Sequence, residues 1–188
     1  MFSQNRHKGM LAKSATLLAI TSILSVAAAQ AAGVTSSPLV LTAYINGAGG
    51  ESLVAGKLDQ ALAEIKKART PTSVEYSAMM NNLCVVYAAK KQLKEAAETC
   101  NSAVKLARYD RITSQRYSPG SSRENSYVAI AYANRAVSHL LANDAARAQE
   151  DLARAKALAP SADFVSKNVL AAQAPRSTIA QVEVSPAR

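Results

Sequence analysis

The chain has no tryptophan, only two phenylalanines, two cysteines, two histidines, six prolines and seven glycines in 188 residues. So few aromatics and turn-formers argue against an all-β protein, whose strands and turns draw on those residues. With His7 in the extreme N-terminal segment, His139 is the one histidine left for chemistry, and no triad or metal set surrounds it. Cys-x-x-Cys, H-E-x-x-H and G-x-S-x-G are all missing, as is a Gly-rich phosphate loop after a strand. No catalytic, cofactor-binding or metal-binding residue is expected, and the chain reads as non-enzymatic. What it does contain is alanine and leucine, the raw material of closely packed helices.

Acidic residues are absent before Glu51, whereas Arg6, His7, Lys8 and Lys13 flank an apolar run, "LLAITSILSVAAA". Ala29-Gln30-Ala31 supplies the small residues that a signal peptidase accepts. Residues 1–31 are therefore expected to be a cleaved secretory signal peptide, placing the mature chain in the bacterial periplasm or outside the cell. The apolar run is short for a spanning helix, so no stable membrane insertion after cleavage is expected. The formal charge of +9 falls to +6 once three basic residues and no acid are removed. The remaining excess lies in small clusters such as Lys66-Lys67-Arg69 and Lys90-Lys91-Lys94, with few aromatics between them. That suits solvated helix faces and not a nucleic-acid partner.

Local signals divide the rest. Residues 32–48 read as an irregular lead-in, and "GAGG" at 47–50 disfavours a helix. Helices are predicted over about 51–55, 58–69, 73–89, 93–108, 121–142, 145–158 and 162–173. Thr72 with Glu75 and Ser121 with Glu124 have capping-box spacing, and Ser161 is placed to cap the last helix. Residues 111–128 read as a partly looped insertion and 174–188 as a flexible tail.

Three stretches repeat one pattern: "GKLDQALAEIKKA" at 56–68, "KQLKEAAETCNSA" at 91–103 and "NDAARAQEDLARA" at 143–155. In each, an Ala is followed four places later by a larger apolar residue or Cys, and seven places later by another Ala. Short side chains recurring on one face let two antiparallel helices approach closely. Spacing near 34 residues marks a helical-hairpin solenoid.

At residues 77–110 the sequence resembles the tetratricopeptide repeat family, through Met80, Leu83, Cys84, Tyr87, Ala96 and Cys100. A third copy carries Tyr132, Arg135, Ala136, His139, Ala148, Leu152 and Pro160, with "NRAVSHLLAN" in its first helix. The first copy is degenerate, with Ile45, Ala48 and Gly49 in its leading slots. The resemblance covers about residues 44–160, with copies near 44–76, 77–110 and 129–162. It implies an all-α, right-handed helical-repeat solenoid of about three hairpins over 49–173, ending in a C-terminal helix. The runner-up is an irregular α-helical bundle.

The resemblance also implies that a polypeptide partner binds in the concave groove. The groove-facing positions would be Asn81, Asn82, Val85, Ala89, Ile130, Asn134, Val137 and Leu141. Asn82 and Asn134 fill the same slot, and a side-chain amide offers one donor and one acceptor set to a peptide backbone. A carboxylate clamp is not supported, because the neighbouring basic slots hold Asn46, Gly50, Ile130 and Asn134. Alternatively, Val137 and Leu141 pack on the final helix and fill the groove. His139 is expected as a half-buried packing residue, and Glu95, Glu98, Glu150 and Asp151 as outward, solvated carboxylates.

Cys84 and Cys100 leave two alternatives open. An even count in an oxidising compartment favours a disulfide. Pairing about the 90–92 turn, however, sets Cys84 opposite residues 94–97, which suits separate core thiols. The function expected is a non-enzymatic adaptor or scaffold in the envelope. The alternative is a structural envelope protein that stacks on copies of itself as a homo-oligomer through exposed repeat ends.

Overall fold

A computed structural model describes residues 38–68, 73–117, 122–174 and 181–187. The expected signal peptide, Thr72 and Ser121 lie outside these residues. The chain is mostly helical. Among the described residues the order is β1 (Leu39–Ala43), α1 (Gly50–Val54), α2 (Leu58–Lys67), α3 (Ser73–Ala89), α4 (Leu93–Tyr117), α5 (Ser122–Leu141), α6 (Ala145–Leu158), α7 (Asp163–Gln173) and β2 (Val182–Pro186).

Three helix pairs, α1/α2, α3/α4 and α5/α6, are closed by the same device. The residue that ends each turn of backbone is left-handed: Gly56 at φ 72°, Lys91 at 56° and Asn143 at 63°. The next N–H reaches back to cap an orphan carbonyl, from Lys57 to Ser52 (2.8 Å), Gln92 to Tyr87 (2.9 Å) and Asp144 to His139 (2.8 Å). Five residues after each left-handed position comes an alanine, Ala61, Ala96 or Ala148, with no exposed surface. The sequence repeat is thus one hairpin turn and one close-packed seam, made three times.

The first hairpin differs from the others in its leading helix, which is only five residues long. Backbone crowding explains why glycine is needed there. A Cβ on Gly50 would lie 2.0 Å from the Tyr44 carbonyl oxygen, and one on Gly49, at φ 71°, would lie 2.7 Å from that of Ala61. The "GAGG" that disfavours a helix is what lets β1 turn directly into α1.

Several boundaries depart from the sequence reading. The lead-in expected to be irregular contains β1, and the tail expected to be loose contains β2. The two strands pair in parallel, with Leu39 beside Val182 and Ala43 beside Pro186. The insertion expected over 111–128 is largely helix, since α4 continues to Tyr117 and α5 starts at Ser122. Ser161 does not cap α7; Ala162 is the N-cap residue and makes no side-chain cap bond.

The main core lies around β1. Leu39, Leu41 and Ala43 pack with Leu53 of α1, Ile65 of α2, Val85 and Val86 of α3, Val137 of α5 and Ala171 of α7. A second cluster joins Val104 of α4, Val128 and Tyr132 of α5, Ala155 of α6 and Val165 of α7. Cys84 and Cys100 are disulfide-bonded, with Cα atoms 4.6 Å apart. The pairing that set Cys84 opposite residues 94–97 is corrected here, and of the two alternatives it is the bridge that forms. Each cysteine is eight residues from Gln92, where the turn closes, so both sit at equal height on antiparallel helices.

Candidate functional site

A strand buried among helices has a problem that its side chains cannot solve. Each residue brings an N–H and a C=O, and helices have no spare backbone groups along their sides to receive them. All five residues of β1 are buried. Its odd-numbered residues solve the problem with β2: Leu39 N–H donates to Gln181 O (3.0 Å), and Ala43 O accepts from Ala187 N–H (2.8 Å). The even-numbered residues face the other edge, where no strand lies among the described residues.

Three asparagines stand in for one. Asn168 of α7 accepts from Val40 N–H (2.7 Å) and donates to Val40 O (2.8 Å). Asn134 of α5 accepts from Thr42 N–H (2.8 Å) and donates to Thr42 O (2.8 Å). Asn82 of α3 accepts from Tyr44 N–H (2.9 Å) and donates to Tyr44 O (3.0 Å). A carboxamide has the donor and acceptor of a peptide group at the right separation, so three of them at alternate residues act as a substitute neighbouring strand. The segment runs from α7 across α5 to α3, counter to the order of the helices.

Further amides brace the row. Asn81 donates to Thr42 O (3.0 Å), and Asn134 donates to Asn81 Oδ1 (3.0 Å). Asn82 also donates to Ala48 O (3.1 Å), tying down the turn between β1 and α1. Asn81, Asn82, Asn134 and Asn168 are all buried. Removing any of them would strand polar atoms out of reach of water, which costs far more than an exposed bond. Among the described residues one atom is left over: the Thr42 hydroxyl is buried and finds no partner there.

The expected groove residues therefore come together, but around the chain itself. Asn81, Asn82 and Asn134 hold β1 and the residue after it, and Val85 and Val137 pack on its apolar face with Ala89 and Leu141 at the margin. Ile130 is buried. The expectation that these positions stand free for a partner is corrected: the chain's own N-terminal segment fills the hollow. The alternative, packing of Val137 and Leu141 on the last helix, accompanies this: both belong to one cluster with Ala171 of α7, which lies beside the segment and contributes Asn168. Reading the sequence did not find Asn168, which follows Asn134 by 34 positions, the spacing expected of a helical-hairpin repeat.

Tyr44 ends the ladder. Its ring meets Tyr127 edge-on at 5.4 Å between centroids. Burial raises the phenol's pKa above its ordinary value, with Tyr127 and Asp110 pushing the same way, so it stays neutral. Beside the groove, an open cleft of about 300 Å³ lies between Lys91 and Leu93 on one hairpin turn and Leu140, Leu141 and Asn143 on the other.

A second polar cluster joins α4, α5 and α6. Arg135 donates to both oxygens of Asp151, from Nε (2.7 Å) and Nη2 (2.8 Å), and from Nη1 to Asn101 (3.0 Å). Asp151, expected to be a solvated carboxylate, is buried, whereas Glu150 is exposed. A bidentate guanidinium is what makes that burial tolerable. His139 is half-buried, with Nε2 3.8 Å from Asp151 Oδ2. Burial lowers its pKa, partly offset by Asp151. These residues line a shallow cleft of about 380 Å³, in which the arginines already face carboxylates.

Among the described residues no group of three or more His, Cys, Asp or Glu is arranged to hold a metal, and no helix is long and apolar enough to cross a membrane. No family model, curated protein or solved structure matches the chain.

Proposed function

We propose that the chain is a tetratricopeptide-like helical-repeat adaptor of the bacterial envelope, a non-enzymatic protein that binds another polypeptide in extended conformation. The three hairpins with matched left-handed turns and matched alanine seams support the repeat reading. One observation carries the function: the face lined by α3, α5 and α7 grips an extended backbone at every second residue through Asn82, Asn134 and Asn168. Recognition of that kind is indifferent to side chains on the gripped edge and demands only an extended chain. The partner joins the fold in the layer of the resident segment, as a strand in line with β1 and β2.

The test is a display screen of random peptides on the purified full chain, with hits measured by fluorescence polarisation. Extended binders whose affinity collapses on backbone N-methylation are the expected result. Recovery of none, or only of peptides that bind as helices, overturns the reading.

A further inference from the structure

The two strands of the sheet are held very differently. β1 is buried along its whole length, is clamped by three asparagines and supplies Leu39 and Leu41 to the core. β2 has no fully buried residue. It offers Val182 and Val184, each partly covered, while Glu183 is exposed. Among the described residues no side chain clamps its backbone, whose bonds in the sheet all run to β1. β1 is therefore part of the fold, and β2 is a cover laid along its open edge.

Resting on the adaptor reading, we infer that the partner site is the strand position beside β1, and that residues 182–186 occupy it as an exchangeable latch. The occupant it admits is an extended peptide in parallel register, apolar at the two positions now held by Val182 and Val184 and polar between them. The register sets a further rule. Leu39 N–H bonds to Gln181 O and Ala43 O to Ala187 N–H, so by parallel alternation residues 181, 183, 185 and 187 turn their backbone groups toward β1. Residues 182, 184 and 186 turn theirs away. A partner needs an N–H at the 183, 185 and 187 positions and tolerates proline at 182, 184 and 186. The resident segment obeys this, with Pro186 at a tolerated position. Pro186 also removes a donor from the outer edge of β2, which disfavours a third strand adding there and leaves exchange as the route.

Removal of β2 exposes Leu41 and Ala43 backbone groups without loosening the Asn ladder. That asymmetry can be read in the unmodified full chain by amide exchange. The Leu41 and Ala43 N–H groups are expected to exchange about tenfold or more faster than those of Thr42 and Tyr44. A single rate for all four makes β1 and β2 one unit and overturns the latch.

Binding is tested with a fluorescein-labelled octapeptide copying Gln181–Arg188, against the full chain and against its Val182→Thr/Val184→Thr variant. The variant is expected to bind about fivefold or more tighter, because its own cover is weaker. N-methylation of the peptide at its Glu183 nitrogen should cost about tenfold, and at its Val184 nitrogen no more than about threefold. Equal losses at both nitrogens, or no binding by the variant, overturn the proposal. Display-selected peptides that bind without displacing the octapeptide overturn it too, while leaving the adaptor reading in place. An empty display screen removes the adaptor reading itself.

Discussion

Asn134 is where the fold should be most sensitive to a change of a few atoms. Its carboxamide exchanges two bonds of 2.8 Å with Thr42 and gives a third, of 3.0 Å, to Asn81, at a position with no exposed surface. In Asn134→Ala the Thr42 N–H and the Asn81 Oδ1 lose their partners, whereas Thr42 O keeps its bond from Asn81 Nδ2. Each buried orphan costs about 1–3 kcal/mol. With the small void added, the loss comes to roughly 3–5 kcal/mol, a large share of the 5–15 kcal/mol typical of a domain. Asn134→Asp should do no better. It keeps an acceptor for Thr42 N–H but turns a carboxylate on Thr42 O and Asn81 Oδ1, with no cation beside it.

The assay is urea unfolding of the full chain followed by circular dichroism. At a slope of about 2 kcal/mol per molar, the expected loss moves the midpoint down by about 1.5–2.5 M. Asn101→Ala is the control, since it removes a bond of similar length from Arg135 at an exposed residue and should cost less than about 1 kcal/mol. A loss below about 1 kcal/mol for Asn134→Ala, or one equal to the control, would refute the ladder as the support of β1.

Other perturbations probe separate parts of the same account. Thr42→Val removes the buried hydroxyl that lacks a partner, and should leave stability unchanged or raise it by about 1 kcal/mol in the same urea assay. Lys91→Gly relieves a left-handed non-glycine residue and should raise the thermal midpoint by the equivalent of about 1 kcal/mol, provided the turn is closed as described. Thiol labelling of unreduced, unfolded protein should find no free cysteine, and the Cys84→Ala/Cys100→Ala variant should lose about 3 kcal/mol for a loop of 16 residues. Because burial lowers the folded pKa of His139 below its unfolded value, its contribution is present above pH 6.5 and is lost as pH falls through the folded pKa. His139→Gln should therefore flatten the acid side of a stability–pH curve while leaving pH 8 stability nearly unchanged.

How much of this could be read in advance differs from part to part. Helix α3 is found at the residues its pattern marks, and Ala61, Ala96 and Ala148 are buried where the spacing puts them, whereas Ala68, at the end of α2, is exposed; helix faces are set by neighbours within seven residues. The side-chain chemistry of Asn82 and Asn134 was also legible, in that an amide in that slot suits a peptide backbone. What it would hold was not. "LVLTA" carries no alternation of polar and apolar residues, so nothing local marks it as a strand; its edge partner Asn168 lies 128 residues from Val40. "VEVSP" likewise becomes a strand only because β1 leaves an edge open beside it. Asp151 looked like any surface carboxylate until Arg135, on another helix, reached it with two bonds.

The sequence by itself determined most of the helices and the first alanine of each close-packed seam, since these follow from residues adjacent along one helix. Only the tertiary structure decided that the hollow is filled by the chain's own N-terminal segment, and that the C-terminal strand lies along it. Backbone groups buried in that hollow must be satisfied by whatever stands nearest in space, and nearness in space between residues so far apart in the chain is not written in either stretch alone.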